Sequence, residues 1–125
     1  MRIVDSHFHW WPRSIFEALC KREGFPRAEP NGRGGYKYWR ADNGVPGFDL
    51  GADWFDIEKQ LARMDATGYQ IDVVCSIGPF SVHFSDLPVE EGRAAAMQWN
   101  EEMADAQRRY PGRVWASAAD RKSVV

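Results

Sequence analysis

This chain has few cysteines and histidines, and neither sign of charge dominates it. Its 125 residues include 2 Cys and 3 His, and 16 Lys and Arg oppose 18 Asp and Glu, for a net charge of −2. Cys20 and Cys75 are too far apart for a CxxC site and too few for a disulfide framework. The balanced charge argues against a nucleic-acid partner. No apolar run approaches the roughly 18 to 20 residues that span a bilayer, and Arg2 introduces charge too early for a signal peptide. We therefore expect a cytoplasmic protein without a membrane or nucleic-acid partner.

The composition is that of an ordinary globular domain, with 44% hydrophobic and 27% charged residues. Residues 2–10, 71–77 and 114–118 have the β-rich character of strands, and amphipathic helical segments separate them. The order strand, helices, strand, helix, strand predicts right-handed crossovers and a parallel sheet. The predicted fold class is α/β, with about three parallel strands in one domain over residues 1–125.

Three helices are predicted from their capping and stop signals. A capping box from Ser14 to Glu17 predicts a helix that stops near Gly24, and Asp53 is the predicted cap of a second helix that ends at residues 67–68. A third helix is expected from residue 86 or 88 to Tyr110. Residues 24–54 hold 7 of the 11 glycines, which predicts a long loop after the first strand, with residues 36–40 as a short strand within it.

The clearest chemical signal is the sequence from Asp5 to His9 at the end of the first strand. Strict alternation would place Ile3, Asp5, His7 and His9 on one face. Two histidines spaced in this way lie roughly 6 to 7 Å apart at Cα, so both imidazoles can reach one metal ion. Asp5 is the predicted acceptor that orients a ligating imidazole. The alternative is that two surface histidines alternate with aromatic residues by chance.

Three blocks of the sequence resemble one family of metal enzymes. The blocks resemble the start of the amidohydrolase-related enzymes. They are residues 3–9, residues 57–74, which include Thr67 and Gly68, and residues 100–113. The most similar subgroup is that of aminocarboxymuconate-semialdehyde decarboxylase and related aromatic-acid decarboxylases. The resemblance covers residues 1 to about 119, and the ending at residues 120–125 departs from the family, as a truncation or a frameshift would.

The resemblance implies the N-terminal part of a metal-dependent (β/α)8 TIM barrel, a fold that needs eight strands and typically about 250 residues. It also implies that His7 and His9 are metal ligands, with a later histidine and a last-strand aspartate that have no counterpart in this chain. The implied cofactor is a divalent metal, Zn²⁺ or Mn²⁺, and the implied substrate is a small, aromatic or carboxylated organic acid. The metal would activate water for hydrolysis or orient the substrate for non-oxidative decarboxylation.

Three further residues are candidate substrate contacts. Arg40 stands among the basic and aromatic residues of the long loop, and such residues can hold a planar carboxylate. Trp10 and His83 are the other two, with packing for Trp10 and an exposed loop for His83 as the alternatives. We expect the chain alone to be inactive and to self-associate as a homo-oligomer, because three strands leave a sheet edge and two apolar faces uncovered. A non-catalytic α/β interaction module with incidental histidines is the rival interpretation.

Overall fold

Two three-stranded sheets and three α-helices organise the part of the chain that the structure describes. The computed structural model describes residues 1–76, 84 and 86–119. The strands are β1 (Arg2–His9), β2 (Arg27–Pro30), β3 (Tyr36–Trp39), β4 (Phe48–Leu50), β5 (Gln70–Ser76) and β6 (Val114–Ala116). The helices are α1 (Arg13–Cys20), α2 (Ile57–Asp65) and α3 (Val89–Arg109), with a 3₁₀ helix at Ala52–Phe55.

The first sheet is parallel, with strand order β1-β5-β6. Its central strand pairs Ile71 with Ile3 on one side and Val73 with Val114 on the other. The strands are joined by α1 and α2 in the first crossover and by α3 in the second. The predicted α/β class and the three parallel strands are confirmed.

Helices cover only one face of this sheet. Val73, Cys75 and Val114 are fully buried in one core cluster with Trp99 and the other inward residues of α3. The opposite face carries Val4 and Trp115, which are 58% and 48% exposed. Within the described residues, this sheet therefore has a covered face and an open face.

A β-bulge interrupts β1 between Asp5 and Phe8, in the interval that contains His7. Asp5 pairs with Val73, but Phe8 pairs with Cys75, so β1 has one extra residue in this interval. Paired residues of neighbouring parallel strands point to the same side, so Asp5 lies on the covered face with Val73. His9 pairs with Ser76 and lies on the open face. The prediction that Ile3, Asp5, His7 and His9 share one face is therefore wrong.

The segment predicted as a long loop contains the second sheet. Strands β2, β3 and β4 form an antiparallel meander, with Ala28 opposite Tyr38 and Tyr36 opposite Leu50. The expected strand at residues 36–40 is confirmed as β3, whereas the loop prediction is wrong at residues 27–30 and 48–50, which form β2 and β4. The glycines serve the turns: Gly34 has a φ of 82° between β2 and β3, and Gly44 has 73° between β3 and β4.

The helices form where they were predicted, but two of their caps differ. Ser14 does not cap α1; its hydroxyl donates to Glu102 on α3 at 2.9 Å, and α1 ends at Cys20 rather than at Gly24. Asp56, not Asp53, caps α2 by accepting from the Lys59 amide at 2.9 Å. Helix α3 matches its prediction within a residue or two. No helix within the described ranges combines the length and apolar character needed to cross a membrane.

Candidate metal centre

His7 and His9 come together at the carboxyl end of β1. Their ring centroids lie 4.8 Å apart, with the planes 74° apart. Parallel sheets place their sites at this end of their strands, because loops of variable sequence follow there. At this separation two imidazoles can direct nitrogens at a common point, so the pair can contribute two ligands to one ion.

The imidazole of His9 is held by the neighbouring strand. Its Nδ1 lies 3.0 Å from the carbonyl oxygen of Ser76 and 3.2 Å from the Ser76 hydroxyl. When Nδ1–H donates to that carbonyl, the proton sits on Nδ1 and Nε2 keeps its lone pair. Ligating histidines in metal sites are commonly fixed by such a bond, so Nε2 of His9 is oriented as a ligand would be.

Asp5 acts on the main chain of the same segment. Its Oδ1 accepts a hydrogen bond from the backbone N–H of His7 at 3.0 Å, across the bulge. The carboxylate thus holds the backbone from which the His7 side chain projects. The sequence predicted that Asp5 accepts a hydrogen bond from an imidazole N–H and so orients a metal ligand, and this role of Asp5 stays a prediction.

The donor set of the described residues is incomplete for a zinc site. Among residues 1–76, 84 and 86–119, no group of three or more His, Cys, Asp and Glu side chains could hold a metal ion. Protein zinc sites use three or four protein ligands. His7 and His9 fit two of these positions, and further ligands would have to come from elsewhere.

Trp10 lies in the core. It is 5% exposed, and its Nε1–H donates to the carbonyl oxygen of Phe55 at 3.1 Å. The neighbouring Trp11 stacks on Trp54, with ring centroids 4.7 Å apart. Both indoles therefore anchor β1 to the 3₁₀ helix, and the substrate contact suggested for Trp10 stays a prediction.

Arg40 binds a carboxylate of its own chain. Its Nε donates to Asp86 Oδ2 at 2.6 Å and its Nη2 to Asp86 Oδ1 at 3.2 Å. The hydrogen bond that Arg40 donates to Asp86 raises the pKa of the Arg40 guanidinium above its usual value. This forked pair fastens the end of β3 to the residues before α3. A substrate carboxylate at Arg40 would have to displace Asp86, and the substrate role stays a prediction.

Other basic side chains between residues 24 and 54 also contact aromatic or acidic side chains of that same segment. Arg27 lies over the Trp39 ring at 4.6 Å and pairs with Glu29 at 2.5 Å. Arg33 pairs with Asp49. This arrangement is typical of a solvated segment held by its own aromatic and acidic residues. His83 lies outside the described residues.

Sequence reasoning missed Ser76, whose carbonyl orients His9. The available signal was its place at the end of the β-branched run 71–76, because the ends of adjacent parallel strands meet. No protein-family model matches this chain, and comparison with curated proteins finds no match.

Proposed function

We propose that this chain is part of a metal-dependent enzyme of the (β/α)8-barrel type. Its reaction would be decarboxylation or hydrolysis of a small aromatic or carboxylated acid. The observation that carries the proposal is the His7 and His9 pair, with rings 4.8 Å apart at the carboxyl end of the first parallel strand. The bond between His9 Nδ1 and the Ser76 carbonyl supports it, because that bond leaves Nε2 free to ligate.

The chain's own residues would prepare the site before any ligand arrives. Ser76 fixes the ring of His9, and Asp5 fixes the backbone at His7. Val74 and Trp115 lie opposite each other on the same open face as His9, where they offer apolar surface to an aromatic ring. A bound Zn²⁺ or Mn²⁺ would supply Lewis acidity toward a carbonyl, a carboxylate or water.

The proposal requires more than the described residues supply. A closed barrel needs eight strands, and the described part contributes three parallel ones. The missing ligands and the general acid or base would lie on the other strands. We therefore expect the 125-residue chain to bind metal weakly and to turn over no aromatic carboxylate, whichever metal is supplied.

A metal titration tests the ligand pair directly. Isothermal calorimetry with Zn²⁺ compares the wild-type chain with His7→Ala and His9→Ala, and each variant should lose at least about tenfold in affinity because each removes one of two imidazoles. Glu101→Ala is the control, since it removes an exposed carboxylate of α3 that could bind a metal, and it should keep the affinity. Circular dichroism checks that all four proteins are folded. Unchanged Zn²⁺ affinity in both His7→Ala and His9→Ala would contradict the assignment of these histidines as ligands.

The open sheet face favours the rival proposal, a non-catalytic interaction module. Val4 and Trp115 expose large apolar side chains there, and β1 and β6 are the sheet's edge strands. Light scattering should give an apparent mass above the 14.3 kDa of the monomer, and Trp115→Lys should lower it. Self-association together with no measurable metal binding would favour the module over the enzyme.

A further inference from the structure

Two Asn-Gly dipeptides lie in the turns of the antiparallel meander. Asn31 and Gly32 lie between β2 and β3. Asn43 and Gly44 lie between β3 and β4. Asparagine amides are thermolabile, and a following glycine has no Cβ to shield its backbone nitrogen, which can attack the side-chain carbonyl carbon of the asparagine. The two dipeptides share this chemistry, so the surroundings of each asparagine decide which of them reacts.

The side chain of Asn31 is held at both ends. Its Nδ2 donates to Asp49 Oδ1 at 2.9 Å and to the carbonyl oxygen of Leu50 at 3.2 Å. Its Oδ1 accepts from the backbone N–H groups of Arg33 and Gly35, at 2.9 and 3.1 Å. A reaction at the side-chain carbon changes the geometry of the amide, so it would break these hydrogen bonds and raise the barrier by their energy.

The side chain of Asn43 is exposed, and its Nδ2 has no hydrogen-bond partner among the described residues. Its Oδ1 accepts from the backbone N–H of Val45 at 3.0 Å. That donor stabilises the negative charge that develops on the oxygen when the carbon is attacked, as donors do in an oxyanion hole. Gly44 is also exposed, with a φ of 73°. Asn43 therefore has a polarised carbonyl, an accessible nucleophile beside it and an unrestrained leaving group.

We propose that Asn43 is a site of spontaneous deamidation and that the fold protects Asn31 from the same reaction. The backbone nitrogen of Gly44 bonds to Cγ of Asn43, and the bond between Cγ and Nδ2 breaks. The proton from the Gly44 nitrogen leaves with the Nδ2 group as ammonia. Water then opens the resulting cyclic imide at either of its carbonyls. One opening yields aspartate, and the other yields isoaspartate, in which the main chain runs through Cβ and Cγ.

Both products change the turn between β3 and β4. Each adds a carboxylate next to Asp42 and makes the net charge one unit more negative than −2. Isoaspartate also lengthens the main chain of the turn by one atom. The assignment does not depend on the metal site or on the proposed reaction.

Peptide mapping by mass spectrometry measures the two sites separately. After incubation of the wild-type chain at mildly alkaline pH, trypsin releases Asn31 in peptide 28–33 and Asn43 in peptide 41–59. Deamidation raises the mass of a peptide by about 1 Da, and isoaspartate gives a second product of equal mass that elutes separately. Peptide 41–59 should gain this mass at least about fivefold faster than peptide 28–33, the effect of two net hydrogen bonds on a rate.

Three comparisons connect the selectivity to the fold. In the chain unfolded by guanidinium the hydrogen bonds are lost, so the two peptides should gain mass at rates within about threefold of each other. Asp49→Ala removes one acceptor from Asn31 and should speed deamidation there by at least about twofold, with no change at Asn43. Asn43→Gln should nearly abolish the mass gain of peptide 41–59, because the longer side chain must close a larger ring. Circular dichroism checks that both variants are folded.

Four results would overturn the proposal. Peptide 41–59 gains no mass, or it gains mass no faster than peptide 28–33 in the folded chain. The ratio of the two rates is the same in the folded and unfolded chains, which would assign the contrast to the neighbouring sequence. Deamidation at Asn43 yields no isoaspartate, which would exclude the cyclic imide. Asn31 reacts at an unchanged rate in folded Asp49→Ala; if that variant does not fold, the wild-type comparison of folded and unfolded chains decides.

Discussion

Gly35→Ala is the sharpest test of the antiparallel meander that replaces the predicted loop. Gly35 immediately precedes β3, and its N–H donates to Asn31 Oδ1 at 3.1 Å while its carbonyl accepts from the Asn31 amide at 3.1 Å. A Cβ on Gly35 would overlap the carbonyl oxygen of Leu50 and lie 2.9 Å from the carbonyl carbon of Gly51. Both neighbours are backbone atoms and cannot rotate away, so the pairing of β3 with β4 must open.

The cost of that opening has two parts. Overpacking a well-packed site costs typically about 1 to 3 kcal/mol. The Asn31 side chain also donates to the Leu50 carbonyl oxygen at 3.2 Å, and loss of one such hydrogen bond costs about 0.5 to 1.5 kcal/mol. We therefore expect the free energy of unfolding to fall by about 3 kcal/mol. At roughly 4 °C per kcal/mol for a chain of this size, Tm falls by about 12 °C.

Thermal and urea unfolding, followed by circular dichroism, measure this loss. Gly24→Ala is the matched control, because nothing lies within 4 Å of a Cβ there and its φ is not positive. Gly24→Ala should change the free energy of unfolding by less than about 1 kcal/mol, with stabilisation as the favoured direction. If Gly35→Ala were as stable as Gly24→Ala, β3 and β4 would not be paired as described.

Three other perturbations test separate parts of the molecule. Burial raises the pKa of the Cys75 thiol from 9.0 to about 12. Because the unfolded chain loses the thiol proton at a lower pH than the folded chain, the free energy of unfolding falls as pH rises from about 9 to 12. In urea unfolding, Cys75→Ala should show a smaller fall over that pH range. Arg113→Ala should lower the free energy of unfolding by about 2 kcal/mol, because the Arg113 guanidinium donates to the carbonyls of Ile71 and Leu61. In the same assay, Arg108→Ala, which removes an exposed ion pair, should lower it by less than about 0.5 kcal/mol. Asp5→Ala should weaken Zn²⁺ binding by about tenfold or more. Asp5→Asn should weaken it less, since the asparagine side-chain oxygen can still accept from the His7 backbone N–H. Equal Zn²⁺ affinities of Asp5→Ala and the wild type in calorimetry would show that Asp5 does not contribute to the site.

The parallel sheet could be predicted because its signals are local and strong. The β-branched run that becomes β5 lies between two paired strands, and it buries Val73 and Cys75 in the core. The apolar spacing of α3 buries Trp99 and Met103 as its periodicity indicates. Long periodic segments carry enough information in one stretch of sequence to specify both their type and their inward face.

The meander and the cap of α1 depend on contacts between distant residues. Strands β2 to β4 have three or four residues each, and their aromatic rings pack on α1, with Phe16 5.5 Å from Tyr36 and 6.1 Å from Tyr38 between ring centroids. Ser14 fits a capping box by its spacing, but its hydroxyl finds Glu102, 88 residues away. A local pattern cannot weigh such a partner against the cap, because the partner is adjacent only in the folded chain.

The bulge in β1 explains why the prediction that His9 and Asp5 share one face was wrong. A period of two assigns every second residue to one face, and one extra residue reverses the assignment beyond it. Asp5 consequently stays on the covered face and reaches the His7 backbone, while His9 moves to the open face beside Ser76. An unbulged strand would have put Asp5 and His9 on one face and left the Ser76 carbonyl without this imidazole. The irregularity therefore gives His9 its bond to Ser76 and leaves Nε2 of that ring available at the carboxyl end of the sheet.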